Sequence, residues 1–302
     1  VKLSVYFGES DRAGPAALSD ALLDLFAARE LRSSVLLRGI EGFGAKQRLR
    51  SDRLLTLSED LPLVAVAVDE TERIEATLPA VEALVSEGLV TLERTTGTAA
   101  DENVKLTVYC GRSEYAPVVD LLHSHGVEGA TVLLGVDGTM HGERRRARFF
   151  AANTGVPLMV VAVGAGERIG AALEDLHHPL CTLERLSSGP AGTPWEKLTV
   201  YSSEATGLHL ELVRRLRAAG AAGATCARGI WGYHRHGALH GDRLLALRRR
   251  VPVLTTVVDV AERTAEWFEI ASGLTAPGAI VTREGLPIVS VRQKGKPGAG
   301  IE

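Results

Sequence analysis

The chain of 302 residues is 45% hydrophobic and 24% charged, the composition of a soluble folded protein, and its length alone suggests about two domains. A formal charge of -3 excludes a surface that grips nucleic acid throughout, leaving room only for local basic patches. No apolar run approaches the roughly 18 residues of a membrane span, "VKLSVYFGES" (1 to 10) has neither a basic start nor a cleavage site, and the widely spaced Cys110, Cys181 and Cys226 exclude a CxxC motif. These features point to a cytoplasmic protein with reduced core thiols.

In chain order, Val1, Leu3, Val5 and Phe7 alternate with Lys2, Ser4 and Tyr6, the period of two of a strand with unlike faces. Pro15 stands near the first turn of a helix whose Leu18, Leu22, Leu25 and Phe26 share one side. "SSVLLRG" (33 to 39) reads as a second strand and "LPLVAVAVD" (61 to 69) as a third. Asp69 with Glu72 makes a capping-box pattern for a second helix, Gly88 closes that helix, and "LVTLER" (89 to 94) is a fourth strand.

The same text then returns. "VKLSVYFG" (1 to 8) recurs as "VKLTVYCG" (104 to 111) and "EKLTVYSS" (196 to 203), so Lys2, Lys105 and Lys197 mark units of about a hundred residues. "DETERI" (69 to 74), "GAGERI" (164 to 169) and "DVAERT" (259 to 264) keep step, as do "VTLER" (90 to 94), "CTLER" (181 to 185) and "IVTRE" (280 to 284). The units are repeat 1 at 1–95, a degenerate repeat 2 at 104–187 and repeat 3 at 196–292. A glycine- and lysine-containing tail, 293–302, follows a short extra strand (286 to 291) and reads as mobile.

A βαββαβ order with both helices on one side of an antiparallel sheet is the ferredoxin-like arrangement, an α+β fold. The third strands, "LVAVAV", "LMVVAV" and "VLTTVV", are nearly apolar throughout, which implies burial on both faces. Packing the open sheet faces on one another gives an intramolecular pseudo-trimer in a monomeric chain; separate beads or oligomerisation are the alternatives.

Between the second and third strands lie about twenty residues, far more than a hairpin needs. Each stretch opens with glycines, Gly39, Gly42 and Gly44 or Gly229 and Gly232, after Arg38 or Arg228. These read as a glycine-rich turn whose backbone N–H groups and arginine suit an anion. Lys46, Arg48, Arg50 and Arg53, then Arg144, Arg145, Arg146 and Arg148, then Arg235, Arg243 and Arg248 to Arg250 make the loops basic, suited to an acidic partner surface. In the second copy "LGVDGTM" (134 to 140) loses the arginine and much of the glycine pattern, which reads as a decayed site.

"VYFGESDR", "RGIEGFG", "LSEDLP", "VDETERI" and "GLVTLER" together resemble the domain of unknown function 190 family, a branch of the PII-like (GlnB-like) superfamily. The resemblance covers the first copy, most of the third and the outline of the second. It implies a trimer-like assembly with ligand clefts between units and a T-loop that reports ligand state to a target, here a membrane transport protein. Such proteins bind adenine nucleotides and regulate without catalysis. The implied ligand contacts are Arg38, Gly39, Gly42, Phe43 and Gly44 in one copy and Arg228, Gly229, Gly232, Tyr233, His234 and His240 in another. This chain departs from the family at the phosphate-binding loop, where "VSEGLV" (85 to 90), "LHHPLC" (176 to 181) and "LTAPGA" (274 to 279) replace a glycine- and lysine-rich stretch.

Other chemistry is thinly supported. His234, His236 and His240 have a spacing that could hold a divalent metal, but no cysteine or acidic ligand set accompanies them. Glu9 and Asp11 could supply carboxylates at a strand end, yet no Walker A, GxSxG or HExxH sequence is present, so the chain reads as no enzyme, without a required cofactor. A ligand-independent adaptor is the other alternative. Nucleic-acid binding lacks its stacking platforms, because Tyr6, Tyr109 and Tyr201 fall on strand faces turned to the core.

Overall fold

The computed structural model describes residues 1–44, 50–51, 60–95, 97–98, 100–140, 142–147, 155–177, 180–187, 191–234, 240–241, 251–275, 280–293 and 296–299. It is a mixed α/β fold with six α-helices among the described residues and one large antiparallel sheet system.

In the first unit the strands are Lys2–Gly8, Ser33–Phe43, Pro62–Val68 and Gly88–Glu93, and the helices Leu18–Ala28 and Thr71–Leu84. The first strand pairs with both the third and the fourth, and the second with the third, giving the sheet order fourth, first, third, second. The other units repeat this order with strands Asn103–Cys110, Gly129–Met140, Leu158–Ala165 and Cys181–Arg185, then Trp195–Ser203, Ala224–His234, Pro252–Val260 and Ile280–Leu286. Each unit packs its two helices over one sheet face around its own apolar core. Leu18, Leu22, Leu23 and Phe26 are the buried residues of the first helix. Pro15 lies before that helix, between the two-residue strands Arg12–Ala13 and Ala16–Ala17.

The opposite sheet faces meet in a shared interior. Val35, Val66, Leu133, Val161, Tyr201 and Leu254 belong to one buried cluster drawn from all three units. That is why the third strands carry no polar face.

The glycine segments are not turns. In each unit the second strand runs on through them to Phe43, Met140 or His234. Its far half leaves its own sheet and pairs antiparallel with the near half of a neighbour's second strand. Gly39–Phe43 pairs with Ala224–Ala227, Gly229–His234 with Gly129–Leu133, and Gly135–Met140 with Ser33–Leu37, closing a cycle. A β-carbon on Gly39 would sit 2.7 Å from Pro62 Cγ, and one on Gly229 would sit 2.7 Å from Thr131 Cγ2. One on Gly42, Gly138 or Gly232 would overlap the carbonyl oxygen of Ala224, Ser34 or Ala130. These glycines let two backbones cross at close range, so the anion-binding turn expected there is replaced by an inter-unit strand crossing. The second copy keeps this pattern whole as Gly135 and Gly138, and the expectation that its glycines had decayed is corrected.

Between the glycines the apolar residues act as knobs. Ile40 and Phe43 enter the core of the third unit, Tyr233 that of the second, and Val136 packs on that of the first. The cycle is completed at the chain end, where Ile288–Gln293 adds to the outer edge of the first unit's fourth strand, Ile288 facing Leu92 and Arg292 facing Gly88. Lys296–Ala299 pairs back onto that strand, so the backbone of these residues of the expected tail joins the sheet.

The capping boxes are also corrected. The helix caps are Glu70 and Val260, with no side-chain cap bond. Asp69 instead accepts the Arg32 and Glu70 backbone N–H groups, and Asp259 accepts the buried Trp267 indole N–H at 3.0 Å. In the second unit Gly164 leaves room for the Glu128 carboxylate, which takes the Ala165 N–H at 3.1 Å.

Candidate functional site

Crossing strands leave a cleft between the first and third units, a cavity of about 370 Å³. One wall is the first unit's edge: Tyr6, Phe7 and Gly8 end its first strand, while Gly88 and Leu89 begin its fourth. The opposite wall is the third unit's Ala222 to Thr225, Thr256, Val258 and Trp195. Phe43, Gly44 and Pro62 form the end where the long connection between second and third strands begins and returns. Val291 and Arg292 of the added C-terminal strand complete the lining.

The cavity is lined by apolar residues, Trp195, Phe43, Phe7 and Tyr6 among them, together with a few polar groups. Arg292 brings a guanidinium whose Nη2 lies 3.5 Å from Glu82 Oε2 and whose buried Nε makes no hydrogen bond. Asp11 accepts the Gly8 N–H at 2.7 Å, and Glu87 adds a second carboxylate. Burial pushes the Tyr6 phenol up to about 12, so it is neutral and able to donate.

Of the expected ligand contacts, Phe43 and Gly44 line this cleft. Arg38 and Arg228 do not. Arg38 makes a two-pronged pair with Glu9, 3.1 and 2.9 Å, and Arg228 an equivalent pair with Glu204, 3.1 and 2.7 Å. Glu9 and Glu204 occupy the same place after the first strand of their repeats, so the guanidinium charge is met by a carboxylate in both copies. Gly39, Gly42, Gly229 and Gly232 are committed to the crossings, and Tyr233 is buried in the second unit against His123, ring centroids 4.7 Å apart. His234 and His240 are described by backbone, His240 facing Gly232 in a short pairing, and His236 lies outside the described residues.

Lys46, Arg48, Arg53, Arg148, Arg235, Arg243 and Arg248 to Arg250 also lie outside the described residues, and the Arg50 backbone pairs with Gly42. The second unit's basic stretch is described through Ala147, and there the arginines pair with carboxylates of the chain itself. Arg144 binds Asp20, Asp24 and Asp137 at 2.6, 2.5 and 2.7 Å. Arg146 pairs with Asp20 and Asp137, and Arg145 with Glu143. Asp137 is buried, so its charge needs these partners, and the stretch is a clamp onto the first helix of the neighbouring unit. Among the described residues no group of three or more His, Cys, Asp or Glu side chains is placed to hold a metal ion.

Sequence reasoning missed a second polar centre. Lys2, Lys105 and Lys197 meet Glu93, Glu184 and Glu284 where the units converge, all six buried. Within units, Lys2–Glu93 is 2.6 Å, Lys105–Glu184 3.3 Å and Lys197–Glu284 3.0 Å. Across units, Lys2–Glu184 is 2.7 Å, and Lys105 and Lys197 bond Glu284 and Glu93. Burial opposes both charges, but the ammonium groups of Lys197 and Lys2 hold Glu93 well below the carboxylate range. Glu184 and Glu93 likewise raise Lys2, and Glu284 and Glu93 raise Lys197; at Lys105 burial prevails and lowers the pKa. The signal was present as a lysine and a glutamate recurring at fixed places in every repeat.

Two solved structures show a weak likeness. An aspartate kinase from Synechocystis matches at 14% identity over 99% of this chain and 45% of that chain, TM-score 0.27. A candidate chlorite dismutase matches at 8% identity over 61% of this chain and 94% of that chain, TM-score 0.19. The chain spans less than half the length of the kinase. No helix among the described residues is long and apolar enough to cross a membrane. The model of the DUF190 family, described as uncharacterized ACR, COG1993, matches residues 1–96, 103–186 and 195–285. With three matches in register with the three units, the chain belongs to the DUF190 family.

Proposed function

We propose that this chain is a PII-like, non-catalytic regulator in which three fused units bind a small anionic, adenine-nucleotide-like effector in the cleft between the first and third. The supporting observation is the cavity of about 370 Å³, within the roughly 300–1,000 Å³ range of small-molecule sites, lined by aromatic faces and the Arg292 guanidinium. Trp195 offers a stacking surface to a planar ring, and Arg292 an anchor for one acidic group. Phe43 and Gly44 end the strand from which the basic connection departs, so an effector in the cleft touches the base of the segment that would engage a target. A membrane transport protein fits the target role through the basic residues of that segment.

Thermal unfolding of the whole chain against AMP, ATP, a cyclic dinucleotide and inorganic phosphate tests the reading. A ligand at about a hundred times its Kd stabilises the fold by roughly 2.7 kcal/mol, and Trp195→Ala should remove the shift. No shift with any of these compounds would sink the proposal and favour a ligand-independent adaptor. A nucleotide consumed on incubation would contradict the non-catalytic part.

A further inference from the structure

The period of two that built the first and fourth strands stacks side chains in layers along the line where the three units meet. The lysine–glutamate layer comes first. Two residues inward on each strand lie Ser4, Thr107 and Thr199 facing Thr91, Thr182 and Thr282. Two further inward stand Tyr6, Tyr109 and Tyr201. Every side chain in the hydroxyl layer is buried.

Most of the polar atoms in such a stack should find partners, and several do: Ser4 Oγ donates to Glu93 at 3.0 Å and Thr182 Oγ1 to Glu184 at 3.4 Å. Five do not: the hydroxyls of Thr91, Thr107, Tyr109 and Tyr201 and the oxygen Glu284 Oε1 are buried without a hydrogen bond, whereas Glu184 Oε2 is met by the Lys105 ammonium at 3.3 Å. Tyr109 and Tyr201 lie beside Thr182 and Thr282, yet neither phenol makes a direct bond there. Leaving one such group unmet is costly, and five in one place are not random packing faults.

The chemistry of the five selects the ligand. Four are hydroxyls that both donate and accept; the fifth is a carboxylate oxygen that only accepts. An anion would face the Glu284 carboxylate, and a cation would face three buried ammonium groups. Water alone serves both kinds of atom. We propose that the line of convergence is a closed hydration site, in which ordered water bridges the tyrosine and threonine hydroxyls to Glu284. Tyr6 belongs to this stack and also lines the cleft, so the bound water abuts the candidate effector site.

Thr91→Val and Thr107→Val, each nearly isosteric, test the assignment in the full chain. If water bridges these hydroxyls, each substitution strands the water's other partners and lowers Tm by about 2–4 °C, the size of one lost hydrogen bond. If the hydroxyls are simply unmet, replacing them raises Tm, which overturns the proposal. A high-resolution crystal structure should show water within hydrogen-bond distance of Tyr109 and Tyr201. An anomalous peak at that place in bromide-soaked crystals would make it an anion site and overturn the assignment to water.

Discussion

Lys197→Met removes one ammonium from the buried lysine–glutamate ring and keeps most of the side-chain volume. Lys197 bonds Glu93 across the unit boundary and lies 3.0 Å from Glu284 within its own unit. Glu93 then keeps Lys2 at 2.6 Å, and Glu284 keeps Lys105, so the variant leaves one net negative charge shared in a dry interior. Breaking a buried pair by deleting one partner costs about 3–5 kcal/mol, whereas replacing both partners with apolar groups is often near neutral. Urea unfolding should therefore show a loss of about 3–5 kcal/mol for Lys197→Met and for Glu93→Leu separately. The double variant should lose clearly less than the sum, because it restores neutrality among two lysines and two glutamates. Single variants within about 0.5 kcal/mol of the parent, the range of ordinary surface changes, would refute the reasoning, as would strict additivity.

Gly42→Ala should cost about 1–3 kcal/mol or more, because its β-carbon would overlap the Ala224 carbonyl oxygen and neither backbone can yield without breaking the crossing. Gly44→Ala, with nothing within 4 Å of the added atom, should stay within about 0.5 kcal/mol in the same urea assay. Acid should weaken the ring. Glu93 and Glu284 are lowered in the fold, so their contribution is complete above the unfolded value near 4.3 and is lost as pH falls through the folded values. Lys2 and Lys197 are raised, so theirs is complete below about 10.4 and is lost only as pH climbs through their folded values. Lys105 has the opposite sign: its protonated form is disfavoured in the fold, and deprotonation at high pH relieves that cost. Unfolding midpoints measured from pH 2 to pH 7 should fall less steeply for Lys197→Met/Glu93→Leu than for the parent.

The repeats, the strand order within each unit and the two-sided burial of the third strands were readable because they rest on periodicity, which the chain writes locally. The pairing of Arg38 and Arg228 was not legible because their partners, Glu9 and Glu204, are about 25–30 residues away and meet them only once the strands align. The glycines were misread for a related reason: Gly39 and Gly42 can encode a turn or a close crossing, and the choice depends on Ala224, far along the chain. The sequence did hold a discriminating sign, since Ile40 and Phe43, like Ile230 and Tyr233, place apolar side chains between and after the glycines, as a strand buried against a neighbour requires. Trp195 and Arg292 escaped notice because they lie at the margins of the repeat, where comparison of copies gives no signal.

The most direct measurement is calorimetric titration of AMP and ATP into the full chain and into Val291→Trp, whose indole would occupy the cleft from the added C-terminal strand. The account predicts one nucleotide site per chain in the parent and its loss in a Val291→Trp protein whose urea unfolding is unchanged. Undiminished binding in that variant, or no binding of either nucleotide to the parent, would contradict the claim that the cleft between the first and third units is where this protein takes its effector.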